Sequence, residues 1–376
     1  MMNGNRVCGI IAVLAIVVNL SAGWARAEDE ARWDGKSAAR YLDARAAEWS
    51  KFGGANRGKG ADKVSCVSCH TMLSYALGRP AARHLEGENR PTAQEERMLE
   101  HVRHRVANWK ELDTPRFQLS YDFNAKKKVE SWGTESVLNA LILSLNDRRL
   151  GLHAPSDSTR NALRNLWALQ QADGTEAGSW DWLDFGLRPW EAGESRYYGA
   201  ALAAIAVGSA PGYLNAKADS DVQAGVDRLR RYFRSHVEKQ NLHNLIWTLW
   251  ASTVVDGLLT GVERDRIVGQ IFAKQQDSGG WNLASLGEFK RQDNTPEETG
   301  PDGYATGLAL HALQLAGVPK EHPGLAKGLA WLRTHQQESG AWVGHSLNKR
   351  RDPATHAGKF MTDASTAFAL LALDHP

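Results

Sequence analysis

Cysteine is scarce in this 376-residue chain: there are three, and none lies beyond Cys69. Cys8 falls in an N-terminal apolar run, so Cys66 and Cys69 are the two thiols expected in the mature protein. There is no second C-x-x-C, and zinc would need further Cys or His at ligand spacing. A dominant charge is missing too. The 45 Lys and Arg set against 43 Asp and Glu leave a formal net charge of +2, and Lys126-Lys127-Lys128 and Arg230-Arg231 read as short solvated faces. No nucleic-acid partner is expected. From Trp132 onward there are no convincing period-two strands, which points away from a sheet protein.

The first residues carry an export signal. Arg6 supplies a positive start, Val7 to Leu20 an apolar run short for a membrane span, and Ala25-Arg26-Ala27 a small-x-small cleavage site. Residues 1–27 therefore read as a signal peptide. The mature chain is expected to be periplasmic or otherwise exported, with no stable membrane insertion after cleavage.

Against the scarcity of cysteine stands one dense motif, Cys66-Val67-Ser68-Cys69-His70. C-x-x-C-H on a helix is the attachment signal for c-type haem: two thiols form thioethers to the porphyrin and the adjacent imidazole ligates iron. The motif predicts one covalent haem c held by Cys66 and Cys69, with His70 as the metal ligand. A redox-active or structural Cys66–Cys69 disulfide is the competing use of the same thiols. Met98, His101, His104 and His84 are the nearest candidates for a sixth ligand, and none is assigned; Met72 is too close to His70 along the chain to reach the opposite haem face.

The rest reads as helices. Ala38, Leu42, Ala46 and Trp49 recur at helical spacing, with Tyr41 beside them, and the Gly-rich stretch Gly53 to Gly60 breaks that helix and leads into the motif. Leu73 to Leu77 reads as a short helix stopped by Gly78-Arg79-Pro80. Thr92 with Glu95 is a capping box opening a helix with the stripe Leu99, Val102, Val106 and Trp109. Beyond Trp132, segments apolar over most of their circumference (137–145, 200–207, 245–258, 308–315, 364–373) alternate with amphipathic ones (162–171, 222–236, 264–276, 325–337). Segments of the first kind must be buried on both sides and those of the second cover them from outside, as in a double-layered helical ring.

The amphipathic segments end alike. Lys327-Gly328-Leu329-Ala330-Trp331-Leu332 with Gln336, Gly340 and Trp342 fits K/R-G/A-x-x-aromatic-L-x-x-x-Q-x-x-x-G-x-W. A second copy keeps Arg266, Gln275, Gly279 and Trp281. A third keeps Ala162, Leu166, Gln170 and Gly174 and reaches Trp180 after a short insertion. This pattern resembles the repeat of squalene-hopene cyclases and of the protein prenyltransferase β subunits. The resemblance covers roughly residues 132–376 and implies an all-α fold, an α/α toroid, preceded by a helical haem-binding segment (28–131) that resembles cytochrome c in its motif. In that family the Gln and Trp positions are structural clasps.

The chemistry of the family does not carry over with its repeat. The cyclases protonate an alkene with the middle Asp of D-x-D-D, which is absent here, and the prenyltransferase subunits hold zinc with a Cys this chain lacks. The polar groups that could act are Asp181, Asp184 and Glu191, set among Trp180, Trp182, Phe185 and Trp190 with Glu194 nearby, where apolar surroundings can raise a carboxyl pKa and make a general acid. Asp302 and Asp363, each before an apolar segment, read as helix caps, and His311 as a hydrogen-bonded core residue. Three uses follow: an exported haem protein for electron transfer, with the toroid as scaffold or as a module for a redox partner protein or an apolar small-molecule ligand; a terpenoid-processing enzyme; and a carbohydrate-acting toroid.

Overall fold

A computed structural model describes residues 33–112, 114, 124–215 and 219–375; the expected signal peptide lies outside them. Among the described residues, no helix is long and apolar enough to cross a membrane.

The fold is all-α, an α/α toroid. Helix α1 (Gly35–Lys51) starts at Asp34, whose side chain accepts from the Lys36 amide, and buries Ala38, Leu42, Ala46 and Trp49. The Gly-rich stretch that follows folds back on itself: β1 (Asn56–Arg57) pairs antiparallel with β2 (Val64–Ser65). Helix α2 (Met72–Leu85) follows, then α3 (Ala93–Ala107) with the Thr92–Glu95 capping box formed in both directions, then α4 (Ala125–Arg149). The remaining helices are α5 (Asp157–Ala168), α6 (Ser195–Ser209), α7 (Ser220–His236), α8 (Leu242–Ala251), α9 (Gly261–Ala273), α10 (Gly303–Leu315), α11 (Pro323–Thr334) and α12 (Phe360–Leu373).

The even-numbered helices form an inner ring. Each packs on the next, from α2 through α4, α6, α8, α10 and α12, and α12 packs back on α2. The odd-numbered helices lie against this ring from outside: α1 on α2 and α12, α3 on α4, α5 on α4, α7 on α6, α9 on α8, and α11 on α10 and α12. Residues 33–376 form one compact unit. The division expected at Trp132 falls within α4, and α1 to α3 supply helices to the same two layers.

Helix α2 does not stop at Gly78-Arg79-Pro80 as its sequence suggests, but runs through to Leu85. A Cβ on Gly78 would lie 2.5 Å from Ala367 Cα, so glycine is what lets α2 and α12 touch. Pro80 cannot donate to the Ala76 carbonyl. Arg149 replaces the missing donor: its Nη1 donates to Ala76 O at 2.9 Å and its Nη2 to Leu77 O at 3.1 Å.

The repeat residues act as clasps between outer helices. Gln170, Gln275 and Gln336 donate from Nε2 to the carbonyls of Gly178, Gly279 and Gly340 in the loops that follow them, at 3.2, 2.7 and 2.9 Å. The same nitrogens also donate to Gly225 of α7, Gly324 of α11 and Asp34 at the start of α1, at 2.9, 2.8 and 2.9 Å. Trp180, Trp281 and Trp342 donate to Leu166, Ile271 and Leu332 at 2.7, 2.7 and 2.8 Å, adding a second donor to carbonyls in the last turns of α5, α9 and α11 that otherwise accept only the backbone amide three residues on. The glycine of the first copy is Gly178, not Gly174 as the sequence spacing suggested. Gly178, Gly279 and Gly340 have φ of 101°, 99° and 86°, and a Cβ on each would collide with the backbone of the next outer helix, at Arg228, Lys327 and Ser37.

Aromatic rings occupy the interior between the inner helices. Trp190 meets Tyr304 at 5.3 Å, Tyr304 meets Phe368 at 5.1 Å, Phe368 meets Trp247 at 5.5 Å, and Trp247 meets Tyr198 at 5.1 Å. All five are buried. Part of the polar edge of this cluster is paired: Trp190 Nε1 donates to the Tyr304 hydroxyl at 3.0 Å, and that hydroxyl lies 2.9 Å from His243 Nε2, while Trp247 Nε1 and the Tyr198 hydroxyl are buried without a hydrogen-bond partner.

Candidate functional site

The C-V-S-C-H pentapeptide lies in the turn between β2 and α2 rather than on a helix. The reason is local. Ser68 Oγ accepts from the amides of Thr71 and Met72, both at 3.2 Å, and so ends α2 at its N-terminus. The Cys66 amide donates to Ala55 O at 2.8 Å, and Trp49 Nε1 donates to Cys66 O at 2.9 Å, which ties the motif to α1. Both cysteines are free thiols, Cys69 buried and Cys66 partly so. Burial pushes the Cys66 thiol up to about 11 and the Cys69 thiol well above its ordinary value, so both are neutral at physiological pH.

His70 is held on three sides. Its ring stacks on Phe360 with centroids 3.7 Å apart and meets the edge of Trp49 at 5.2 Å. Its Nδ1 lies 2.8 Å from Thr71 Oγ1, and that hydroxyl donates to Asp363 Oδ2 at 2.7 Å. Because the one hydroxyl proton goes to the carboxylate, the Thr71 oxygen accepts from His70, which places the imidazole proton on Nδ1 and the lone pair on Nε2. Burial, with help from the nearby His356, Arg45 and Arg351, lowers the His70 pKa to about 3, and the ring is neutral.

His70 and Glu191 both line two cavities. The first, about 810 Å³ including its opening to solvent, is walled by Cys66, Cys69, Trp109, Trp132, Leu138 and Leu183, with Arg57 and Glu135 at its polar side. The second, about 580 Å³, adds Arg188, Trp190, Asn348, Arg351, Phe360 and Met361. Burial pushes the Glu191 carboxyl up to about 7, partly opposed by Lys127.

Of the three acidic candidates, the structure brings Glu191 to the motif and leaves the other two elsewhere. Asp181 accepts from Gln171 Nε2 and Arg196 Nη2, both at 2.8 Å, and lines a separate surface cleft beside Trp132 and Gln171. Asp184 accepts from the Gly186 amide at 3.0 Å and shapes its own turn. Neither lines either cavity at His70. Asp302 caps α10, as its sequence position suggests.

Asp363 does not cap α12. It sits inside that helix, 1% exposed, accepting from Arg45 Nε and Nη2 at 2.7 and 3.0 Å and from the Tyr41 hydroxyl at 2.9 Å, besides Thr71. The sixth-ligand candidates lie away from the His70 cavities: Met98 is core, His101 Nδ1 accepts from the Ser65 amide at 3.1 Å, His104 faces Asp62, and His84 pairs with Asp374. His311 is buried against Trp250 at 4.7 Å, and its Nδ1 lacks a hydrogen-bond partner. Among the described residues, no three His, Cys, Asp or Glu side chains are gathered as a metal-ion site.

Sequence reasoning missed Arg45, Thr71 and His356, which surround this network. One sign was available: Arg45 stands between Leu42 and Trp49 on the buried stripe of α1, where a charge requires a buried partner.

The comparisons with known proteins bear on the ring. The squalene-hopene cyclase C-terminal domain matches residues 303–375, which span α10 to α12. A squalene–hopene cyclase from Zymomonas mobilis is 37% identical over 70 residues, which cover 19% of this chain and 11% of that protein. The match thus spans about a tenth of the length of that relative. Two solved structures run along most of the chain at low identity. One is described as a possible member of the GH105 family from Klebsiella pneumoniae (12% identity, TM-score 0.49, 98% of each chain), the other as a glycosyl hydrolase family 88 protein from Bacteroides vulgatus (10% identity, TM-score 0.36, 92% of each chain). The last three helices of this toroid are therefore a squalene-hopene-cyclase-like segment.

Proposed function

We propose that this chain is an exported c-type haem protein that exchanges electrons with a partner protein, its haem seated at the mouth of the toroid. The observation that carries the reading is the state of His70: proton on Nδ1, lone pair on Nε2, lining one cavity together with Cys66 and Cys69. These are the donors that covalent haem requires.

The residues present fit the group. Cys66 and Cys69 would hold it through thioether bonds, and His70 Nε2 would ligate the iron. Trp109, Trp132, Leu138 and Leu183 offer apolar walls for the porphyrin, while Arg57, Arg351 and Arg188, the last already paired with Glu194 at 2.6 Å, offer cations for the two porphyrin carboxylates. When bound, haem supplies a one-electron couple between ferric and ferrous iron. The chain's own part is to fix the imidazole by the Phe360 stack and the Thr71 hydrogen bond, and to set the thiols and ring side by side in one pocket. The aromatic rings filling the ring interior favour a scaffold role for the toroid over a large apolar substrate chamber.

The test is the absorption spectrum of the full chain made with haem-maturation machinery. Wild type is expected to show a Soret band and c-type α band that persist after denaturation, and Cys66→Ala with Cys69→Ala is expected to lose the covalent pigment. A colourless wild type overturns the reading.

A further inference from the structure

We infer that Thr71 and Asp363 are positioning residues for His70: a hydroxyl-to-carboxylate relay that fixes the proton of the imidazole on Nδ1 and raises the electron density at Nε2. The inference rests on the haem reading for its consequence, but its hydrogen-bond content belongs to the chain itself.

The direction of each bond follows from the donors available. Asp363 accepts four: Arg45 Nε at 2.7 Å, Arg45 Nη2 at 3.0 Å, the Tyr41 hydroxyl at 2.9 Å and the Thr71 hydroxyl at 2.7 Å. A carboxylate has about four lone-pair positions, and the two-point bond to a guanidinium that is itself 2% exposed requires it to be ionised. The Thr71 proton is thereby committed to Asp363, and its oxygen can only accept from His70 at 2.8 Å.

The carboxylate is also held by partners from separate elements. Arg45 comes from α1, Thr71 from the turn before α2 and Asp363 from α12, so the relay is built where three helices meet. Arg45 further donates to His356 O at 3.2 Å and pairs with Glu48. A negative group reaching a ligand imidazole through a bridging hydroxyl makes that imidazole a stronger donor to metal, and a stronger donor favours the oxidised metal. The arrangement therefore predicts a haem potential held low by Thr71 and Asp363.

Thr71→Val removes the hydroxyl at nearly constant volume, and Thr71→Ser restores it. Two measurements on the full chain separate the relay from the haem reading. In the ¹⁵N-labelled chain made without haem maturation, the His70 nitrogen shifts are expected to show Nδ1 protonated in wild type and Thr71→Ser, with that preference lost in Thr71→Val. In the haem-loaded chain, the midpoint potential of Thr71→Val is expected to rise by about a tenfold change in the one-electron equilibrium, ~59 mV, with Thr71→Ser returning to the wild-type value. An Nε2-protonated ring in wild type, or a Thr71→Val chain unchanged in both measurements, overturns the relay. A wild-type chain that takes up no haem overturns the haem reading alone, since the nitrogen shifts still decide the relay.

Discussion

Gln336 donates from Nε2 to the backbone carbonyl of Asp34 at 2.9 Å, joining positions 302 residues apart. It is the same contact that Gln170 makes to Gly225 and Gln275 to Gly324 between consecutive outer helices. The last repeat thus treats α1 as the next outer helix, and the segment carrying C-V-S-C-H is part of the ring rather than an appendage to it.

The clasps should contribute in proportion to their burial. Gln170 is buried and also accepts from Arg228 Nε at 3.0 Å, whereas Gln336 lies closer to solvent. Gln170→Ala is expected to cost about 2–3 kcal/mol and Gln336→Ala about 1 kcal/mol. Urea unfolding at constant slope measures both. Equal costs would contradict the assignment of the first clasp as the buried one.

Gly78 sets the approach of α2 to α12. Gly78→Ala places a methyl 2.5 Å from Ala367 Cα and 2.7 Å from its carbonyl oxygen, where neither backbone can yield without moving a helix. A loss of about 2 kcal/mol is expected, with the inner ring loosened beside His70. An Ala variant as stable as wild type in thermal unfolding would show that the two helices are not in contact.

Asp363 is the partner of a buried cation. Asp363→Asn removes the buried counter-charge of the Arg45 guanidinium and leaves it only the half-exposed Glu48, and is expected to destabilise the fold by about 2–4 kcal/mol. The double variant Arg45→Met with Asp363→Leu should recover much of that loss, because it removes both charges together. Stability of the single variant within about 1 kcal/mol of wild type would argue that the pair is not buried as described.

Glu191 gives the fold a pH dependence of definite sign. Its carboxyl is pushed up to about 7 in the folded chain against an ordinary 4.5. Between those values the folded state keeps a proton that the unfolded state has released, so this group's contribution to stability falls as pH rises through the window and stays reduced above it. Glu191→Gln cannot ionise. The difference in unfolding free energy, variant minus wild type, is expected to grow from pH 4.5 to 7 by on the order of 1–3 kcal/mol. A difference that does not vary with pH would contradict the burial of this carboxyl.

The layers of the fold were legible because burial on one side or two leaves a periodic trace: apolar runs such as 200–207 became inner helices and stripes such as that of 222–236 became outer ones. The Gln and Trp clasps were legible as a repeat. Three things were not. Gly78 and Pro80 read as a stop, since their tolerance depends on Ala367 and Arg149, which are distant in sequence. Asp363 read as a cap, because a carboxylate before an apolar run looks the same whether it meets a helix end or a guanidinium from α1. Asp181 and Glu191 were indistinguishable in one aromatic-rich stretch, and only the ring decides that Glu191 faces His70 while Asp181 turns to Arg196 and Gln171.

The central claim is that Cys66, Cys69 and His70 hold one covalent haem at the mouth of a cyclase-like toroid. The most direct measurement is the intact mass of the mature chain taken together with its pyridine haemochrome spectrum. The expected result is a mass increased by one haem, a c-type haemochrome, and loss of both when Cys66 and Cys69 are replaced by Ala. A chain of unmodified mass with no haemochrome, made alongside a control cytochrome that matures normally, would contradict it.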